Sequence, residues 1–150
     1  MARRFGTAKQ AGIASGTGTK TLVQLVAATN HAIAITHVAI GCKGTSNSQA
    51  PIQFELVRQS SAGTMTSLTP TKNDDSISDS LDTTAQHTAT AEPTTGDVIH
   101  VFTVHPQTAQ RHVFPYEAQP VCGAGDRVGI RAVQSSGTDT TVDVEIGFEE

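Results

Sequence analysis

Short apolar runs rich in Val, Ile and Thr recur along this chain, separated by Gly, Pro, Ser and Asp. No stretch keeps the spacing of an amphipathic helix. The pattern therefore predicts an all-β fold, an antiparallel β-sandwich or jelly roll of about eight strands. The cleanest alternation runs over Thr140 to Phe148. Val142, Val144, Ile146 and Phe148 fall on one side, and Asp143, Glu145 and Gly147 on the other, which predicts one core face and one polar face.

Further strands are expected at Thr19 to Ala27, Ala32 to Ile40, Ile52 to Val57, Thr64 to Thr69, His87 to Glu92, Val98 to His105 and Arg127 to Gln134. The unbroken apolar run at Ala32 to Ile40 predicts burial on both faces. Arg111 to Phe114 is expected to pair back on Val98 to His105 as a hairpin across Pro106 to Gln110. Gly41 to Pro51 reads as a polar loop with Gly44, Ser46, Asn47 and Ser48 as turn formers. Residues 69–86 are polar and acidic and read as a long loop, in which Ile77 and Leu81 could share one helical turn. Residues 1–17, mainly Gly, Ala, Lys and Arg, read as an N-terminal arm, and residues 18–150 as a single β-sandwich domain.

Composition sharpens this picture. Hydrophobic residues make up 37% of the 150 residues, enough for one core, and aromatics only 4%, so that core is aliphatic. Charged residues fall to 16%, below the roughly 25% of an average soluble protein, and Thr and Ser replace them on the surface. A weakly charged, Thr-rich surface is compatible with a partner covering much of it. A net charge of −4 gives no basic face for nucleic acid. No apolar run approaches the roughly 20 residues of a membrane span. Met-Ala-Arg-Arg-Phe-Gly lacks the apolar segment of a secretory leader, so action inside the producing cell, or in a particle assembled there, is expected. The two cysteines, Cys42 and Cys122, make no disulfide framework, and two reduced, buried thiols are expected.

Candidate chemistry is thin. Six histidines occur, His31, His37, His87, His100, His105 and His112. No His-x-His or His-x-x-x-His accompanies them, and a zinc site needs three or four ligands. His105 and His112 would meet only across the expected hairpin. No Gly-x-Ser-x-Gly elbow supports a hydrolase. Gly16-Thr17-Gly18 lacks the Lys-Ser/Thr ending of a phosphate loop. Glu55 and Glu92 could serve glycoside hydrolysis only if a cleft paired them. With no Trp and a single Tyr, Tyr116, a sugar-stacking platform is poorly supplied. The expectation is a non-enzyme with no catalytic residue, metal or cofactor. The candidate docking residues are Arg3, Arg4, Phe5 and Lys9 on the arm, where charge and one apolar anchor could seat on an acidic surface.

From about Ala32 onward the order of segments resembles the jelly-roll decoration (cement) proteins of tailed-bacteriophage capsids. The likeness runs through Pro51-Ile52-Gln53-Phe54-Glu55-Leu56, Ser60-Ser61-Ala62-Gly63-Thr64, Leu68-Thr69-Pro70 and Thr90-Ala91-Glu92-Pro93-Thr94. It continues through His105-Pro106-Gln107, Arg127-Val128-Gly129-Ile130-Arg131 and Phe148-Glu149-Glu150. The resemblance implies a structural virion protein made in the host cytoplasm. It would be a homotrimer on the capsid surface that binds the major capsid protein and stabilises the coat lattice, with no nucleic-acid or membrane partner. It carries over no residue-level site. The alternative is a trimeric receptor- or carbohydrate-binding β-domain such as a fibre head. A cupin-type enzyme would need a His-x-His pair with a carboxylate, which the sequence lacks.

Overall fold

A computed structural model describes residues 3–46, 49–133 and 139–150. Met1 and Ala2 of the expected arm, Asn47 and Ser48 of the expected loop, and Gln134 at the end of an expected strand lie outside these. Among the described residues the chain forms two six-stranded sheets packed as a sandwich, with every pairing antiparallel. The strands are β1 (Phe5–Ala14), β2 (Lys20–Val26), β3 (Ile33–Cys42), β4 (Ile52–Gln59), β5 (Thr64–Leu68), β6 (Thr71–Lys72), β7 (Thr84–Ala91), β8 (Thr95–Val104), β9 (Ala109–Val113), β10 (Val121–Cys122), β11 (Arg127–Val133) and β12 (Thr141–Glu149). Sheet one runs β10-β3-β12-β1-β6, with β9 also pairing β3, and sheet two runs β5-β7-β2-β11-β4-β8.

The alternation of β12 holds: Val142, Val144, Ile146 and Phe148 are buried. They meet Ile35, Val38 and Ile40 of β3, and face Leu25, Phe54, Leu56, Val128 and Ile130 of sheet two in one core. Each such side chain contributes about 1.5–3 kcal/mol when fully buried. Against the expectation for Ala32 to Ile40, only one face of β3 is buried, whereas β2 is buried on both over Thr21–Leu25. There Gln24 donates to Gln59 and Gln59 to Thr21, which in turn donates to Glu92, so the outer face of sheet two carries a buried polar chain.

Three expectations about how segments pair are also corrected. The expected arm is largely β1, which lies inside sheet one between β12 and β6. Its core face is Gly6, Ala8 and Ile13, small because Phe148 and Leu81 fill the space: a Cβ on Gly6 would lie 2.6 Å from Phe148 and 2.7 Å from Leu81. The expected long loop is shorter, because Thr71–Lys72 pairs with β1 and β7 begins at Thr84. No helical turn forms at Ile77 and Leu81. Lys72 instead bonds the carbonyls of Ile77 and Asp79, and Leu81 packs against the core. Third, β9 pairs with β3 rather than with β8. Pro106 is buried in the connection, which carries the chain from sheet two to sheet one and turns His112 and Phe114 inward. With β1, β6 and β10 added, there are twelve strands among the described residues rather than about eight.

Candidate functional site

Ionisable side chains converge where β1 and β12 begin and end together. The main chains of Arg4 and Glu150 exchange hydrogen bonds of 3.1 and 2.9 Å. The Arg4 guanidinium lies 3.2 Å from the Glu150 carboxylate and 2.9 Å from that of Asp82, and also donates to the Ser80 carbonyl. The Glu150 side chain is wholly buried and accepts the N–H groups of Asp82 and Thr83, both at 2.9 Å. His31 Nε2 lies 3.4 Å from the same carboxylate. Burial would raise the Glu150 pKa, but these donors outweigh it and hold the carboxyl below its ordinary value.

His31, Asp82 and Glu150 bring ligand atoms within 4.8 Å of one another, the one such grouping among the described residues. Their chemistry argues against a metal ion, because Arg4 already supplies the cation and Glu150 is committed to backbone donors. Separations of 51 and 68 positions in the chain left no sequence signal for this cluster.

Arg3 pairs with Glu149 at 2.8 Å, donates to the Tyr116 hydroxyl, and lies 5.0 Å from the centre of that ring. Beside it is an open cleft of about 470 Å³, lined by Ile33, Ala34, Tyr116, Gln119, Val121 and Glu149. Tyr116 belongs to the short 3-10 helix Tyr116–Ala118. The expected docking residues are thus divided. Arg3 and Arg4 are engaged within the chain, Phe5 is 41% exposed, and Lys9 faces solvent opposite Glu145 in the strand register. The reason is the pairing of β1, which turns Arg4 toward Glu150 instead of leaving it for a partner.

The other chemical candidates have structural work. Glu55 accepts from Gln53 and pairs with Arg131 at 2.7 Å, while Glu92 accepts the Thr21 N–H and hydroxyl. His105 does not meet His112. Its Nδ1 accepts from Gln107 N–H, and His112 stacks on His100 instead. Cys122 is buried and pairs with Ile33 at the start of β3, whereas Cys42 ends that strand and is only half-buried. Nine positions of strand put them about 30 Å apart, which excludes a bridge. Burial pushes both thiols up to about 11, away from nucleophilic reactivity.

Along one edge of the sandwich, large apolar groups stand in solvent on the outer faces of both sheets. Val98 and Val101 lie on the edge strand β8, Val113 on β9 and Val121 on β10, with Tyr116 between the last two. Val113 and Tyr116 are each 61% exposed and Val121 53%. Val98 and Val101 pair with Val57 and Glu55 on the outer face of sheet two, whereas Val113 and Val121 pair with His37 and Ala34 on the outer face of sheet one. The two sets therefore point away from each other, and Val113, Tyr116 and Val121 make up the patch on sheet one.

Compared with protein-family models, with curated proteins and with solved structures, the chain matches none.

Proposed function

We propose that this chain is a structural virion protein, a decoration protein that binds the outer surface of a tailed-phage head as a homotrimer and stabilises the coat lattice. The single observation that carries the reading is the exposed apolar patch of Val113, Tyr116 and Val121 at the β9 and β10 edge of sheet one. Solvent-exposed apolar groups gathered on one side mark association surfaces more often than free ones. The edge strands β9 and β10 border it with backbone groups that no strand among the described residues covers. The order of sequence segments that resembles capsid decoration proteins supplies the kind of partner. A trimer meets a lattice of matching symmetry three times, so weak single contacts sum to tight attachment without any reaction.

The test combines native mass with binding to heads stripped of the protein. The unmodified chain is expected to be trimeric and to sediment with the heads. Val113→Asp with Val121→Asp should lower self-association or head binding while leaving the β-spectrum intact. A monomer that binds no particle, with or without those changes, contradicts the proposal, and glycan binding by such a protein would favour a fibre-head module instead.

A further inference from the structure

We propose that the His100–His112 ring stack is a proton-operated clasp that holds the outer edges of the two sheets together and releases them in mild acid. This inference stands apart from the capsid reading. His100 belongs to β8, the edge of sheet two, and His112 to β9, at the edge of sheet one. Their rings stack with centroids 4.2 Å apart and planes 27° from parallel. Phe114 presents its ring roughly perpendicular to both, at 5.6 Å from His100 and 4.6 Å from His112. Phe102 continues the cluster at 5.7 Å from His100, and Phe54 lies behind it at 5.9 Å. The two strands share no ladder, so this cluster joins the turn at residues 105–108, the Arg58 bond to the Val121 carbonyl and the shared core in tying the two edges.

Neutral imidazoles stack well in such a setting. Protonating both would place two cations at a separation where like charges repel strongly in a partly dry site. Among the described residues the surrounding elements offer no counter-charge. On β4, Glu55 is taken by Arg131 and Arg58 is turned to the Val121 carbonyl. On β3, His37 pairs with Glu145. On β9, Arg111 alternates to the face opposite His112 and is exposed. Asp97 of β8 and Glu117 of the 3-10 helix are exposed, His105 is held at the turn, and the Cys122 thiol stays neutral. Burial first, and then the neighbouring His112, hold His100 below its ordinary pKa. At His100 the folded chain thus binds fewer protons than the unfolded one. The clasp contributes fully above the ordinary histidine value of about 6.5 and weakens as pH falls through it.

The experiment compares amide-exchange protection factors at about pH 7.5 and pH 5, which bracket histidine titration. It uses the intact chain and the double variant His100→Phe/His112→Phe. In the intact chain, acid should lower protection in β8 and β9 by about tenfold relative to β12, as local opening does. In the double variant that selective loss should vanish. Equal protection of β8 and β9 at both pH values, or the same loss in the variant, overturns the clasp. If the variant fails to fold, ring titration of the intact chain by NMR decides. Two separated steps accompanied by shifts of β8 and β9 amides support it, and independent titration of both rings at the ordinary value overturns it.

Discussion

Arg4 and Glu150 are paired twice over, by two main-chain hydrogen bonds and by a 3.2 Å contact between their side chains. The relationship fixes β1 along β12 and turns what reads as a basic arm into part of sheet one. Its consequence for truncation is direct. Deleting residues 2–12 removes most of a strand that pairs on both sides and takes Gly6 and Ala8 out of the core. The truncated chain is expected to lose its cooperative thermal transition. A melting curve beside that of the intact chain checks this. Survival of an unchanged transition would mean that β1 is dispensable.

Glu150 and Asp143 add to stability against acid. Burial raises both pKa values, but donors outweigh it in each case. For Asp143 these are Lys43 at 2.9 Å and the Gly12 N–H, and for Glu150 the cluster already described. Both carboxyls therefore titrate lower when folded than when unfolded. The stability they add is present above about pH 4.5 and is lost as pH falls through the folded values. Glu150→Gln is expected to cost about 1–3 kcal/mol at neutral pH, because it weakens bonds to buried donors. It should also flatten the acid slope. Urea unfolding at about pH 7 and pH 4 measures both.

Gly147 is where β12 makes room for a side chain. The His37 ring crosses it to reach Glu145 at 2.7 Å, and a Cβ there would stand 2.0 Å from the ring. Gly147→Ala is expected to destabilise by about 1–3 kcal/mol through overpacking. Adding His37→Ala should remove the clash, so the double variant should be more stable than the sum of the single effects. Additive losses would show that the ring is not what the methyl group meets.

The cysteines should behave as packing groups. With burial holding both thiols near a pKa of about 11 and a whole strand between them, neither should react with a thiol reagent in the native state at neutral pH. Both should react after unfolding without reductant. Fewer than two reactive thiols in the unfolded chain would contradict the separation across β3.

How much of this could be read from the sequence depends on side-chain size and on separation along the chain. β12 was legible because Val142, Val144, Ile146 and Phe148 are large and alternate over a polar face. β1 was not, because Gly6 and Ala8 do its burying and lysine, arginine and glycine around them imitate a loose terminus. β6 and β10 span two residues each and leave no pattern. The hairpin expected at Arg111 to Phe114 failed because short connections favour adjacent pairing, whereas here the turn crosses between sheets. The cluster of Arg4, His31, Asp82 and Glu150 draws on four distant segments, and no spacing rule reaches across them.

Attachment to a capsid is the proposed role, and particle composition tests it most directly. Heads assembled from the genome that encodes this chain would be purified with and without its reading frame, and their coat and accessory proteins quantified by mass spectrometry alongside their thermal rupture. The expected result is the chain at a fixed ratio to the major capsid protein, and heads lacking it that rupture at lower temperature. Particles that contain none of it, and rupture identically without its gene, would contradict the account.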